Sequence, residues 1–394
     1  MISVPDADRL LHLHGRRLDA ETVALPEAAG RVLREDVRAD RDVPPFDRVA
    51  MDGVALRSAA VAAGRRRFAV ASQQRAGEAP HTLPGPDACI EVATGAVLPH
   101  GCDAVVPVER LRLDGGVAEI TGEADVRAWQ AVHRRGTDLA AGMVPLRSGT
   151  RIGPAHVAAL ASVGAARVCV GVRPRVAVVT TGDELVAADG PVLPHQIRQS
   201  NGHTVRAALA LRGFRQSALA HAPDDAARLE QVLAEALGQA DVVVVTGGVS
   251  AGRFDLVPDA LARLGVARVF HGVAQRPGKP LWFGVAPDGP AVFGLPGNPV
   301  SALVCLVRYV VPFLARMEGA DETPPAAVWV EALPDRPPGL TVFAPARVDG
   351  VAAATVPTGG SGDLVSLLPT DGFAEIAPDA TARAPLPFYG WSPR

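Results

Sequence analysis

Apolar positions near the start of the chain recur at helical intervals only over residues 6–20, which predict a short amphipathic helix. The pattern then becomes loop-rich through Val43-Pro44-Pro45-Phe46. From 46 to about 140, short apolar runs at 68–71, 88–93 and 104–107 are split by Gly and Pro. This pattern predicts a compact all-β segment. A helical stretch at 154–163 leads into the apolar run 166–172.

After Arg173-Pro174 the texture changes. Residues 175–180 (RVAVVT) and 241–246 (DVVVVT) are continuous apolar runs, the mark of strands buried on both faces. Further strands are predicted at 216–221, 267–273, 281–285 and 291–295, and helices at 201–212, 224–238, 256–264 and 299–317. Alternating strands and helices imply a doubly wound α/β domain whose parallel strands end on one edge. Proline pairs at Pro324-Pro325 and Pro337-Pro338 frame a transition to short strands with Gly turns, read as a small C-terminal β-barrel or sandwich. The expected domains are 1–44 with 142–174 as an N-terminal connecting unit, 45–141 as an inserted β-rich unit, 175–320 as the α/β unit and 326–394 as the barrel.

Composition narrows the class. A chain of 394 residues exceeds what one core usually serves, so several domains are expected. Aromatics make up only 4%, so the cores rest on Val, Leu and Ala. A net charge of −3 gives no reason to expect a nucleic-acid partner. Cys89, Cys102, Cys169 and Cys305 form no CxxC pair, which argues against a zinc site or a disulfide framework and fits a reducing compartment. The first residues lack a signal-peptide core. The most apolar run, 300–314, is broken by Arg308 and Pro312 and reads as a buried helix shorter than a membrane span. The expectation is a cytoplasmic protein without membrane contact.

The chemistry-bearing residues fall just after the predicted strands, where open parallel sheets bind ligands. One loop is Thr180-Thr181-Gly182-Asp183-Glu184; another is Thr246-Gly247-Gly248-Val249-Ser250-Ala251-Gly252, with Asp255 beyond it. Glycine lets a backbone approach a phosphate, and hydroxyls and amides supply donors. A tight strand-to-helix turn would use the same residues. Arg276-Pro277-Gly278-Lys279-Pro280 sets two cations in a stiff frame suited to a small oxyanion, though a solvated loop would look alike. In Pro296-Gly297-Asn298-Pro299, Asn298 suits an N-cap and Pro299 the first helical position, so the helix start would favour an anion. Asp52 and Asp138, in PPFDRVAMDG and RRGTD, read from spacing alone as turn-forming carboxylates, and Thr94-Gly95 forms a further turn. Together these features describe an enzyme acting on a phosphorylated or nucleotide-bearing small molecule, with carboxylates able to hold Mg²⁺.

The motifs PPFDRVAMDG (44–53), TG (94–95), RRGTD (134–138), TTGDEL (180–185), TGGVSAGRFD (246–255), RPGKP (276–280) and LPGNPVSA (295–302), followed by SGDLVSLLPTDGFAEI (361–376), occur in the order and spacing of the molybdenum insertases. The chain resembles that family over nearly its whole length, and is also similar to the insertase half of gephyrin. Departures are Val54 in place of a frequent tyrosine, Thr137 in place of Glu or Ser, and Gln275-Arg276 where some members carry Lys.

The resemblance implies an elongated connecting domain, an inserted β-rich domain, an α/β domain like the molybdopterin adenylyltransferase and a C-terminal barrel. It implies a homodimer whose sites lie between the α/β domain of one subunit and the β-rich domain of the other. The implied reaction moves molybdenum from molybdate to adenylylated molybdopterin and releases AMP with Mg²⁺ assistance. Asp52, Asp138, Glu184, Asp224, Asp255 and Lys279 would be catalytic, with Glu184, Asp224 and Asp255 holding Mg²⁺. Thr94, Gly95, Thr181, Gly182, Asp183, Asn201, Gly247, Gly248, Ser250, Pro296, Gly297, Asn298 and Pro299 would bind substrate. Arg276 and Lys279 would hold molybdate, helped by Arg347 and Ser361 from the barrel, and Pro277 and Gly278 would bind substrate beside them. The adenylyltransferase that supplies the substrate is an expected partner. Rival readings are a gephyrin-like scaffold, a tungsten-inserting paralogue and a non-catalytic molybdopterin sensor; the intact acidic residues and the absence of a fused adenylyltransferase domain weigh against the first and last.

Overall fold

The computed structural model describes residues 1–122, 125–249, 255–286, 289–381 and 384–393. Its centre is a six-stranded sheet in the order Ala218–Ala222, Val176–Thr181, Val242–Thr246, Ala291–Leu295, Trp282–Val285, Ala267–His271. The first four strands are parallel, and every residue of Val176–Thr181, Val242–Thr246 and Ala291–Leu295 is buried, as their unbroken apolar runs require. The last two pairings are antiparallel, because Trp282–Val285 runs against the other five strands, which corrects the all-parallel expectation. A parallel return needs a crossover of about a dozen residues or more, and no helix separates these strands.

Helices cover both faces. Ala226–Gln239 is capped by Asp225, whose carboxylate accepts from the Arg228 amide at 2.9 Å, and it buries Leu229, Leu233 and Ala236 against one face. The other face carries Asn201–Leu211 and the twenty-residue helix Pro299–Glu318, which packs Phe313 against Phe283 and Phe293. This helix matches the one expected at 299–317 and is apolar enough for a bilayer, but it is mostly buried inside the fold. It runs through a π-helical turn, Leu306–Val310, just before Pro312, which lacks the N–H an α-helical turn would use. Arg308 in that turn donates to Asp8 at 2.8 Å and to Glu375 at 2.7 Å. It thereby joins the helix to the N-terminal helix Val4–His14 and to the C-terminal sheet. Burial alone would lower its pKa, but the two carboxylates raise it above the ordinary value.

The C-terminal strands close a five-stranded barrel in the order Thr341–Asp349, Ala352–Thr355, Ala326–Val330, Leu386–Gly390, Gly372–Ile376, with the last pairing back on the first. A second six-stranded sheet, which includes Gly53–Leu56, Arg67–Gln74, Ala88–Val92 and Ala104–Pro107, forms the β-rich body. Val54 is fully buried in its core. Between the β-rich and α/β bodies, Ala20–Ala24 pairs with Arg167–Gly171 beside the helix Pro154–Ser162. There Glu318, at the end of the long helix, is wholly buried between Arg151 (2.9 Å) and Arg173 (3.6 Å).

Candidate active site

The strand ends and the barrel enclose a cleft of about 1550 Å³. Its floor is the carboxyl edge of the parallel strands. Thr181 and Thr246 end adjacent strands, and a Cβ placed on Gly247 would lie 2.9 Å from Thr181 Oγ1, so the two glycine-bearing loops meet there. Among the described residues, the Oγ1 atoms of both threonines are buried without a hydrogen-bond partner, as is Oδ1 of Asn201. Unpaired buried polar atoms are costly, and these three lie on residues that line the cleft, where a ligand can satisfy them. Thr246 opens the second loop in the sequence but is not among the binding residues that the resemblance implies.

Thr181, Gly182, Glu184, Asn201, Asp224, Gly247, Gly248, Asp255 and the 276–280 segment all line this cleft, as do Pro296, Gly297, Asn298, Pro299 and Ser361. Glu184 folds its carboxylate back over Gly182, close enough that a Cβ there would lie 2.3 Å from it. Asp255 precedes the helix Val257–Arg263, whose N-cap is Leu256. Asp183 departs from expectation. Its carboxylate accepts from the Asp224 amide at 3.0 Å, while its own amide donates to Asp224 at 3.4 Å, so it clasps two loops instead of lining the cleft. Ser250 lies outside the described residues.

The cationic segment is held from below and from the side. Gln275 and Arg276 pair in parallel with Thr341 and Val342, adding a short strand to the barrel sheet. Gln275 is buried; its amide donates to the carbonyls of Pro277 at 3.3 Å and Gly278 at 3.1 Å, and its carbonyl accepts from the Tyr309 hydroxyl. Burial raises the Tyr309 hydroxyl well above its usual pKa and pushes the neighbouring Cys305 thiol up to about 12, so this base under the loop is uncharged. Arg276 and Lys279 project from it into exposed positions on the cleft. Gly278 has φ +90°, and a Cβ there would lie 2.5 Å from Cys305 Sγ and 2.6 Å from Gln275 Nε2. Gly278→Ala should therefore lose about 1–3 kcal/mol to backbone strain and about 1–3 kcal/mol to overpacking. Urea unfolding would show it as a lower midpoint with an unchanged slope.

Two barrel expectations separate. Ser361 reaches the cleft: its hydroxyl accepts from Asn298 Nδ2 at 2.7 Å and its carbonyl from the Val300 amide at 3.1 Å. Asn298 does stand at the N-cap of the long helix, but its side chain serves this bridge and caps nothing. Arg347 does not line the cleft; it sits exposed beyond the buried run of Thr341–Asp349.

Asp52, Thr94, Gly95 and Asp138 also lie away from this cleft, in the β-rich body. Asp52 accepts from the Thr94 amide at 2.6 Å and hydroxyl at 2.7 Å, which holds its carboxyl below the usual carboxylate range. Asp138 accepts from His133 Nε2 at 2.8 Å. The two motifs are stapled together, since the Arg135 amide donates to Asp47 at 2.9 Å and Arg48–Val49 pairs with Val132–His133.

Two family models match this architecture: one described as the MoeA N-terminal region (domains I and II) over residues 2–164, the other as a probable molybdopterin binding domain over 177–316. The molybdopterin molybdenumtransferase of Synechocystis sp. is 35% identical over 402 aligned residues, covering 99% of this chain and all of the relative. The chain belongs to the molybdopterin molybdenumtransferases. Molybdopterin molybdenumtransferase 2 of Mycobacterium tuberculosis is 34% identical across 98% of this chain and 97% of its own length. Among solved structures, the molybdopterin biosynthesis moeA protein of Pyrococcus horikoshii OT3 matches with a TM-score of 0.81 at 28% identity, covering 99% of each chain. As a molybdenumtransferase, the protein is an enzyme of molybdenum cofactor biosynthesis with a molybdopterin as its small-molecule substrate.

Proposed function

We propose that this molybdenumtransferase takes molybdenum from molybdate onto adenylylated molybdopterin and releases AMP with Mg²⁺, working as a cytoplasmic homodimer. The observation that carries this reading is the polarity of this cleft: hydroxyls without a partner among the described residues and a glycine turn at the strand ends, two cations on a rigid loop opposite. Thr181, Thr246, Gly247 and Gly248 would take the phosphates and nucleotide, and Asn201 and Ser361 the flanking part of the pterin. Arg276 and Lys279 would orient the tetrahedral oxyanion, with charge the barrel strand keeps in place.

The donor chemistry suits Mg²⁺. Glu184, Asp224 and Asp255 offer hard oxygen ligands on the cleft, and no group of three acidic, His or Cys side chains among the described residues chelates an ion alone. That is the arrangement expected of a metal shared between a few carboxylates and substrate phosphates. When bound, Mg²⁺ supplies charge neutralisation of the pyrophosphate. The chain's own residues do the rest: the threonines donate to phosphate oxygens, the cations fix molybdate, and the barrel wall limits water.

Asp52, Thr94 and Asp138 join the site, in this reading, from the second subunit. Their distance from their own chain's cleft supports it.

The test is AMP release from adenylylated molybdopterin with and without molybdate; no release under either condition removes the activity. Lys279→Ala should raise the molybdate requirement about tenfold, the loss of one charged hydrogen bond, while nucleotide affinity holds. Calorimetry showing unchanged molybdate affinity would remove Lys279 from this role.

A further inference from the structure

We propose that His133 is a positioning residue for Asp138, locked in a single tautomer by Arg48 so that its Nε2–H holds the Asp138 carboxylate in a fixed orientation. The inference deepens the proposed function, and rests on Asp138 belonging to the reacting site.

The argument begins in the ladder. Arg48 and His133 stand directly opposite one another where Arg48–Val49 pairs antiparallel with Val132–His133. Directly opposed side chains in such a pair are close enough to interact. Arg48 Nη2 lies 3.1 Å from His133 Nδ1, and His133 Nε2 lies 2.8 Å from Asp138 Oδ1. A guanidinium has donors only, whereas a neutral imidazole has one donor and one acceptor nitrogen. Nδ1 must therefore accept from Arg48, and the ring proton must sit on Nε2, where it donates to Asp138. The other tautomer would set two N–H groups against each other at Nδ1 and two acceptors against each other at Nε2.

The consequence is directional. Asp138 is about half exposed, with 51% of its side chain accessible, so burial alone does not fix its rotation. The bond from His133 engages Oδ1 and leaves Oδ2 for a ligand. The same strand pair continues from Arg48–Val49 into the Asp52 turn, where Thr94 pins the second carboxylate. One short ribbon thus sets Asp52 and Asp138, the two carboxylates the proposed site takes from the β-rich body, relative to each other.

Three substitutions of His133 separate this role from packing. Gln places an amide N–H near the position of Nε2, Asn offers an oxygen near that of Nδ1, and Phe keeps the ring without either. In full-length protein assayed for AMP release, His133→Phe and His133→Asn should lower kcat about ten- to a hundredfold, the range for a lost charged hydrogen bond. The KM for molybdate and the thermal midpoint should stay near wild type. His133→Gln should recover most of the rate. Gln no better than Asn, or Phe at the wild-type rate while Asp138→Asn is impaired, would overturn the proposal. Full activity in Asp138→Asn would instead remove Asp138 from the reaction, and the role of His133 with it. A measurement independent of activity is the ¹⁵N spectrum of the labelled imidazole: a protonated Nε2 and bare Nδ1 are expected, and a proton on Nδ1 overturns the assignment.

Discussion

Asp52→Ala and Asp255→Ala chains should each be inactive alone, yet a mixture of the two should regain about a quarter of wild-type turnover. Asp255 lines the cleft between the α/β sheet and the barrel, whereas Asp52 is held by Thr94 in the β-rich body away from it. Under the proposed two-fold arrangement, each site takes Asp255 from one subunit and Asp52 from the other. Random exchange makes about half the dimers mixed, and each mixed dimer carries one site with both residues and one with neither. The individual losses should be large, because carboxylates near a metal typically matter by about ten- to a hundredfold or more. Assays after denaturation and refolding of the mixture, with subunit exchange confirmed by differently tagged chains, give the answer. Continued inactivity of exchanged dimers would exclude a shared site.

Arg308→Leu should cost about 3–5 kcal/mol of stability, since it strands carboxylates that the guanidinium now neutralises. Arg308 is 9% exposed, and Glu375, its partner on the barrel, is 15% exposed, so neither charge is well solvated. Asp8, on the N-terminal helix, is more open and contributes less of the loss. Tyr309 and Tyr389 also lie within about 5 Å of the guanidinium, at 5.0 and 5.1 Å to their ring centroids. Chemical denaturation should show the loss directly. A drop below about 1 kcal/mol would mean that the three elements dock without this charge.

Much of the fold is legible in the sequence because its signals are local. The runs VAVVTT and VVVVT can be read only as doubly buried strands, and Gly and Pro mark where they end. The reversal of Trp282–Val285 against both its neighbours left no local trace, because a short apolar strand looks the same in either direction. The missing helices between these strands were the available clue. The glycine loops that line the cleft were legible for the same local reason. Those set by distant partners were not. Asn298 carries the cap signature but spends its side chain on Ser361, and Asp183 belongs to a loop clasp that only the fold brings together. Gln275 reads as one more polar residue beside a loop, and its burial under Tyr309 depends on a helix far along the chain. Arg347 followed from a loose match to the family, and the register of its strand places it outside.

The short strand Gln275–Arg276 belongs in sequence to the α/β body and in hydrogen bonding to the barrel. The barrel is therefore not an interchangeable module. A chimaera that borrows this region from a relative would import the partner strand Thr341–Val342 and the Ser361 bridge as well, and with them the spacing between the two cations and the glycine loops. Transplants that respect the chain's linear boundaries would cut through the site, whereas those that carry 275–280 along with the barrel would keep it whole.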